Sequence, residues 1–416
     1  MPISKTLLVI GYVWPEPSSS AAGSRMMQLL QFFKSLEFKI IFATAATAGP
    51  YRYNLEETGV ISEKIKLNDP SFDDFLLKLK PQIVLFDRFM MEEQFGWRVD
   101  KFCPNALKVL DTEDLHFLRE SRRNAWKKQI SPEELYFESE LAKREIAAIY
   151  RCDLSLIISE AEMNLLISDF KIDQNLLLYL PFLLPLISEE EIKDLPDFDS
   201  RSHFISIGNF KHEPNRNAVL QLKKEIWPLI RQVLPKAELY IYGAYPSQEV
   251  TELHHPASGF LVKGRAENAK EVMKNAKICL APLQFGAGLK GKFINAMQCG
   301  TPSVTTSIGA EGIAGQLAWS GFIEDNAEGF ARKAVKLFLD KQEWQELQQN
   351  GFKIINQRFS REIFEFFLKE KLEYLQENLL QHRKKNFTGA MLKHHLHKST
   401  YFMSRYIEEK NRKTAN

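Results

Sequence analysis

The sequence predicts an α/β protein made of two Rossmann-like halves joined by one hinge. Apolar runs alternate with amphipathic stretches up to about residue 359, the pattern of parallel strands covered by helices on both faces. A polar segment at 188–201, carrying Glu189, Glu190, Glu191 and Pro196, breaks that rhythm midway. A chain of 416 residues with 44% hydrophobic content can bury two large cores. The expected division is a first domain at 1–187, a linker at 188–201, a second domain at 202–359, and helices and a tail beyond.

In the first half, strands are expected at 6–12, 38–44, 82–87, 107–112, 153–159 and 176–182. Each is a short apolar run bounded by polar or turn residues. Helices are expected at 25–36, 131–150 and 159–170. Ser131-Pro132-Glu133-Glu134 supplies an N-cap, a proline at the first helical position and a capping-box glutamate, and Ser159 with Glu162 repeats the box. In the second half, strands are expected at 203–209, 238–244, 259–264, 278–283, 303–306 and 321–324. Helices there fall at 214–233, 268–275, 289–299 and 327–339, and two long amphipathic helices follow at 342–359 and 361–381.

The charges nearly cancel, with 55 Lys and Arg against 53 Asp and Glu. Residues 383–416 are the exception, with nine Lys and Arg against Glu408 and Glu409. Phe387, Met391, Leu392, Leu396, Tyr401, Phe402 and Ile407 are interspersed there, so the tail reads either as a basic amphipathic helix for an anionic membrane surface or as a solvated tail. No apolar run reaches the roughly 18 residues of a membrane span. Lys5 followed by residues 6–14 has the outline of a short signal peptide, but Leu7 to Ile10 makes an equally good first strand. Cys103, Cys152, Cys279 and Cys299 lie far apart, without metal or redox spacing, and fit reduced thiols in a cytoplasmic protein. No P-loop, nucleophile elbow or G-x-G-x-x-G after the first strand is present, and no nucleic-acid partner is expected. Asp197-Phe198-Asp199 has a metal-binding D-x-D form but lies in the linker without a strand to present it, so no metal site is expected.

The most informative stretch is 281–312. A buried strand ends at Leu283, Phe285 to Gly288 forms a glycine turn, and a helix follows with Lys290 and Lys292 at its start. Glycines let backbone N–H groups approach an anion, and the helix N-terminus favours negative charge. Cations are disfavoured there, so two lysines point to an anion in front of them, and a phosphate fits.

This block resembles the donor-binding signature of family 4 glycosyltransferases with the GT-B fold, a pattern of the form AP-x-x-x-GAG-x-KGK followed by A-M, G-x-P-x-V-T-T and GAEG, carried here by Ala281 to Gly312. The resemblance implies two Rossmann-like domains facing across a cleft, with a C-terminal helix at 360–382 crossing back to the first domain. It implies a nucleoside-diphosphate sugar as co-substrate and no separate cofactor. Gly286, Gly288, Asn295, Arg265, Lys211 and Glu311 are the donor-binding candidates, with Lys290 and Lys292 neutralising the diphosphate. Two departures stand out: Asn295 replaces the family's ribose-binding glutamate, and Ala287 falls where an earlier glutamate is usual. The entry to the second half, Gly208-Asn209-Phe210 with Pro214-Asn215, also resembles the family, with Asn209 where many relatives carry arginine.

On the acceptor side, the loop from Trp14 to Arg25 resembles one that closes on substrate through Gly23, Ser24 and Arg25. Asp111 to Arg119 sets an acidic cluster and a histidine after a strand, and the resemblance makes His116 a donor to sugar or diphosphate, with Asp114 orienting it or the acceptor. The expected function is transfer of a sugar from a nucleoside-diphosphate donor to a saccharide or lipid-linked hydroxyl acceptor, retaining and metal-independent, in cell-surface polysaccharide or glycolipid synthesis. Two alternatives stay open: a catalytically weak nucleotide-sugar-binding subunit, and a nucleotide-sugar 2-epimerase of the same fold. The expected location is cytoplasmic, with a peripheral membrane contact through the tail.

Overall fold

The structure, a computed structural model, describes residues 5–414. Among these, the first sheet contains β1 (Thr6–Gly11), β2 (Lys39–Thr44), β3 (Ile61–Lys64), β4 (Ile83–Asp87), β5 (Leu107–Asp111), β6 (Leu154–Ile157) and β7 (Leu177–Tyr179), in the spatial order β3-β2-β1-β4-β5-β6-β7. The second contains β8 (His203–Ile207), β9 (Leu239–Tyr242), β10 (Phe260–Gly264), β11 (Ala276–Ala281), β12 (Ser303–Thr305) and β13 (Gly321–Ile323), ordered β10-β9-β8-β11-β12-β13. Neighbouring strands are parallel throughout. The strand order reverses beside β1 and again beside β8, which opens a crevice at the carboxyl edge of each sheet.

The central strands β1, β4, β5 and β11 are buried along their whole length because helices cover both faces. The first sheet has one core under Phe72, Phe95 and Phe117 and another under Phe32, Phe33 and Leu30. The second has corresponding layers around Phe293 and Met297 on one face and Trp227 and Trp344 on the other.

The two domain connections run side by side, with Leu184 N–H donating to Phe359 C=O at 2.9 Å and Arg361 N–H to Leu184 C=O at 2.8 Å. The helix Arg361–Lys385 then returns to the first domain, where Leu368, Leu372 and Leu375 join Leu7, Leu30 and Leu180 in one core. The basic tail is also docked. Its helix Phe387–Thr414 packs on the helices Phe89–Phe102 and Glu140–Arg151. Glu408 makes a buried ion pair with Arg98, Ser404 donates to Asn68 at 2.6 Å, and Tyr401 meets Trp97 edge-on at 5.2 Å. The expectation of a solvated tail is thereby corrected. No helix among the described residues is long and apolar enough to cross a membrane.

Three local readings change. β3 was not expected, because its Ile-Ser-Glu-Lys sequence is largely exposed on a sheet edge and has no apolar face to read. The helix expected at 131–150 is two, Glu133–Tyr136 and Glu140–Arg151, the second capped by Ser139 accepting from the Ala142 N–H. The helix expected at 214–233 is interrupted by a π turn at Leu222–Ile226, just before Pro228, whose missing N–H cannot continue an α-helical ladder.

Candidate functional site

The carboxyl ends of both sheets face one another and enclose a cavity of about 700 Å³. Every wall segment follows a strand. From the first domain come residues after β1, β2, β4, β5, β6 and β7, including Tyr12, Arg88, Glu113 and His116. From the second come those after β8, β9, β10 and β11, including Asn209, Tyr245, Arg265 and Gly286 to Lys292.

The glycine turn after β11 leads into the helix Gly291–Gln298, with Lys290 at its N-cap. Lys290 is 9% exposed, and its Nζ donates to the Gly288 carbonyl at 2.9 Å, with the Glu311 carboxylate 3.9 Å away. Lys292 donates to Asn215 Oδ1 at 2.7 Å, and Asn215 in turn donates to the Asn209 carbonyl at 2.8 Å. Loss of water around both ammonium groups lowers each to a pKa of about 8. Each ammonium has three N–H donors and spends one on the bonds named, so both retain donors on the cavity wall.

Gly288 sits at φ +61, and a Cβ there would lie 2.8 Å from the Asp114 Cβ, so only glycine allows the two domains to meet at this point. Its N–H is not open to a ligand. It donates at 2.8 Å to Oε1 of Glu162, which also accepts from the Leu115 N–H at 3.0 Å. Glu162 is fully buried, and burial together with the nearby Asp114 raises its carboxyl to about 8. Gly286 lines the cavity while its carbonyl accepts from Arg122 at 2.9 Å.

Glu311 is placed differently from the sequence expectation. Both its oxygens accept from Arg122 of the first domain, at 2.7 Å each. Against the effect of burial, Arg122 and Lys290 hold its carboxyl below the usual range. Asn295, Lys211 and Arg265 do line the cavity. Arg265 donates to Ser18 at 3.0 Å and lies 4.2 Å over the Tyr51 ring, and Lys211 lies 3.5 Å over that of Tyr245.

On the first-domain side, Gly23 and Ser24 line the cavity but Arg25 does not. Arg25 is 1% exposed, bonded to Asp111 at 2.9 Å and to the Leu180 carbonyl at 2.7 Å, and so clamps the ends of β5 and β7 together. Gly23 owes its identity to packing, since a Cβ would stand 2.5 Å from the Glu16 backbone. Asp114 is committed to Arg119, which with His116 outweighs burial and holds its carboxyl well below the usual range. It does not orient His116, whose Nε2 is 4.0 Å away. His116 instead sets Nδ1 3.5 Å from the buried Glu145 and its ring edge-on to Phe89, while still lining the cavity. Asp197 and Asp199 lie outside the site, held by Ser200 and Lys341.

Contacts between distant segments that bridge the cleft were not foreseen. Tyr245 donates to the Glu16 carboxylate at 2.9 Å, Asn209 to the Ser19 carbonyl at 3.3 Å, and Arg358 to Glu160 at 2.6 Å. Among the described residues, no group of three or more His, Cys, Asp or Glu is arranged to hold a metal ion. The site therefore offers a cationic wall on the second domain and an acidic wall, tempered by arginines, on the first.

Comparison with known proteins agrees with this fold. The family model described as "Glycosyl transferases group 1" matches residues 201–340. No match was found among curated proteins. Several solved structures share the fold. A glycosyltransferase from Rickettsia africae is 15% identical, with TM-score 0.63, over 90% of this chain and 99% of that one. HepE of Anabaena, solved with UDP and glucose, is 14% identical, with TM-score 0.65, over 89% and 100%. Sucrose-phosphate synthase from Thermosynechococcus elongatus is 16% identical, with TM-score 0.63, over 89% and 99%. The architecture is GT-B, as expected from the sequence.

Proposed function

We propose that this chain is a glycosyltransferase that moves a sugar from a nucleoside-diphosphate donor to a hydroxyl acceptor, with retention of configuration and without a metal ion. The observation that carries the reading is the pair Lys290 and Lys292, set at the start of one helix and facing the interdomain cavity with lowered pKa values. As the bond from the anomeric carbon to the diphosphate breaks, its electron pair leaves on a phosphate oxygen. Two ammonium groups and a helix N-terminus are suited to stabilising that charge, which is the work a divalent ion does elsewhere. The acceptor oxygen attacks from the face the diphosphate leaves, and the departing phosphate oxygen takes the hydroxyl proton. Arg265 and Lys211, with Tyr51 and Tyr245, form the rim toward the nucleoside end. The closed cleft excludes water and so limits hydrolysis of the donor.

The tail suits contact with an anionic membrane surface, where a lipid-linked acceptor would be found. Phe387, Met391, Phe402 and Tyr406 are 76%, 47%, 66% and 66% exposed, with Lys384, Lys385, Lys398 and Lys410 exposed along the same helix and its approach. Co-sedimentation with phosphatidylglycerol vesicles but not with phosphatidylcholine vesicles, lost in Phe402→Glu with Tyr406→Glu, supports this contact. Equal sedimentation with both removes it.

Activity is tested by incubating the full chain with UDP-, GDP- and ADP-sugars and a panel of saccharide acceptors. The expected result is acceptor-dependent release of one nucleoside diphosphate, unaffected by EDTA, with the anomeric configuration preserved in the product. Absence of release across the panel contradicts the reading.

A further inference from the structure

We propose that Glu113 receives the acceptor, accepting a hydrogen bond from one of its hydroxyls, and that the subsite around it favours an uncharged saccharide end over a phosphorylated one. This rests on the sugar-transfer reading above and specifies its second substrate.

Glu113 follows β5 and lines the cavity on the first-domain wall, opposite the lysines. It is only 8% exposed, yet among the described residues its carboxyl makes no hydrogen bond and no ion pair. A carboxyl this buried is costly without a partner, and here the open direction is the cavity. Asp87 stands alongside, at the end of β4 and in register with Asp111 of β5. It is 4% exposed and also lines the cavity; one oxygen accepts from the Tyr12 N–H at 2.9 Å, and Oδ1 has no hydrogen-bond partner. Two buried carboxyls with unused acceptor capacity thus stand on the first-domain wall of a cavity whose second-domain wall carries the ammonium groups.

The chemistry of the occupant follows from that polarity. The charged groups facing Glu113 are Asp111, Arg88, Asp87 and Arg25. Of these, Arg25 is bonded to Asp111, and Arg88, 3.7 Å from Asp87, is shared between Asp87 and Glu113, so three carboxyls face two guanidiniums and Glu113 has no cation of its own. Burial and then Asp111 raise the Glu113 carboxyl well above its ordinary range, and Asp87 is raised as well, chiefly by burial. Further negative charge is unwelcome there, so a phosphate or carboxylate on the acceptor is repelled. Sugar hydroxyls are neutral donors and supply the missing bonds.

The test is ligand-observed NMR of the full chain with a panel of neutral mono- and disaccharides and their phosphorylated counterparts, comparing wild type, Glu113→Gln and Glu113→Gly. Glycine also relieves the left-handed backbone at φ +61, so it removes the carboxyl without adding strain. The inference expects wild type to bind at least one neutral saccharide more tightly than its phosphate. It expects Glu113→Gly to weaken that binding roughly three- to tenfold, the net size of one hydrogen bond, and Glu113→Gln, whose amide oxygen still accepts, to weaken it less. Binding retained in both variants, a preference for the phosphorylated form, or no saccharide binding by wild type overturns it. A nucleoside-diphosphate thermal shift on the same samples separates the two readings. If no diphosphate binds wild type, the donor reading fails, whereas a normal shift with saccharide binding unaffected by the variants defeats the Glu113 inference alone.

Discussion

The buried carboxyl of Glu162, on the first domain, accepts the amide N–H of Gly288, on the second, at 2.8 Å. This bond joins the glycine loop of the second domain to the first domain, and it makes the molecule sensitive to pH. The carboxyl is raised to about 8, above its unfolded value of 4.5, so the folded state binds the extra proton. The associated stability is complete below about pH 4.5 and is lost as pH rises toward 8. Glu162→Gln, which has no proton to lose, is expected to flatten that part of the profile and to exceed wild-type stability at pH 8 by on the order of a few kcal/mol. Urea melts of both proteins from pH 5 to pH 8 check this, and parallel profiles contradict it.

Arg25 is expected to matter for stability. Arg25→Met leaves Asp111 buried without its partner and should cost about 3–5 kcal/mol. Arg25→Lys should recover only part of this, because one ammonium cannot reproduce the forked contact to Asp111 and the Leu180 carbonyl. Thermal melts in the absence of ligand provide the measurement.

The Arg122–Glu311 pair, with both oxygens at 2.7 Å, bridges the domains and biases the cleft toward closure. Arg122→Gln is expected to increase the radius of gyration of the ligand-free chain in small-angle scattering. A double-mutant cycle with Glu311→Gln should return a coupling of about 1–2 kcal/mol in stability. Zero coupling would make the pair a bystander.

Nucleotide binding should take up protons. Lys290 and Lys292 titrate near 8 in the free protein, and a bound diphosphate favours their charged forms. Affinity is therefore expected to fall as pH rises from 7 to 10, by up to about tenfold per unit for each lysine that must be recharged. Isothermal titration in buffers of different ionisation enthalpy measures the uptake directly.

The fold was legible because its signal is redundant. Apolar runs such as Leu7 to Ile10 and Ile278 to Leu283 can hardly be anything but buried strands in a parallel sheet. The glycine turn and its two lysines were legible for the same reason, since strand, turn and helix chemistry all agree over 281–298. Contacts between distant segments were not. Ser159 and Glu162 have capping-box spacing, yet Ser159 makes no cap bond and Glu162 turns to Leu115 and Gly288. Local sequence cannot distinguish a glutamate that caps its own helix from one held by another domain. Arg25 and Glu311 were misplaced for a similar reason, because the carboxylate or guanidinium that claims each lies 86 or 189 residues away. The tail's basic composition likewise concealed Glu408, whose partner Arg98 draws the helix onto the first domain.

The most direct measurement is thermal melting of the full chain with UDP, GDP and ADP, in wild type and in Lys290→Ala with Lys292→Ala. At about a hundred times its dissociation constant a bound diphosphate adds about 2.7 kcal/mol, enough to move the melting point by a few degrees. That shift is expected for at least one diphosphate with wild type and for none with the double variant. A double variant that is folded without ligand and shows the full wild-type shift would contradict it.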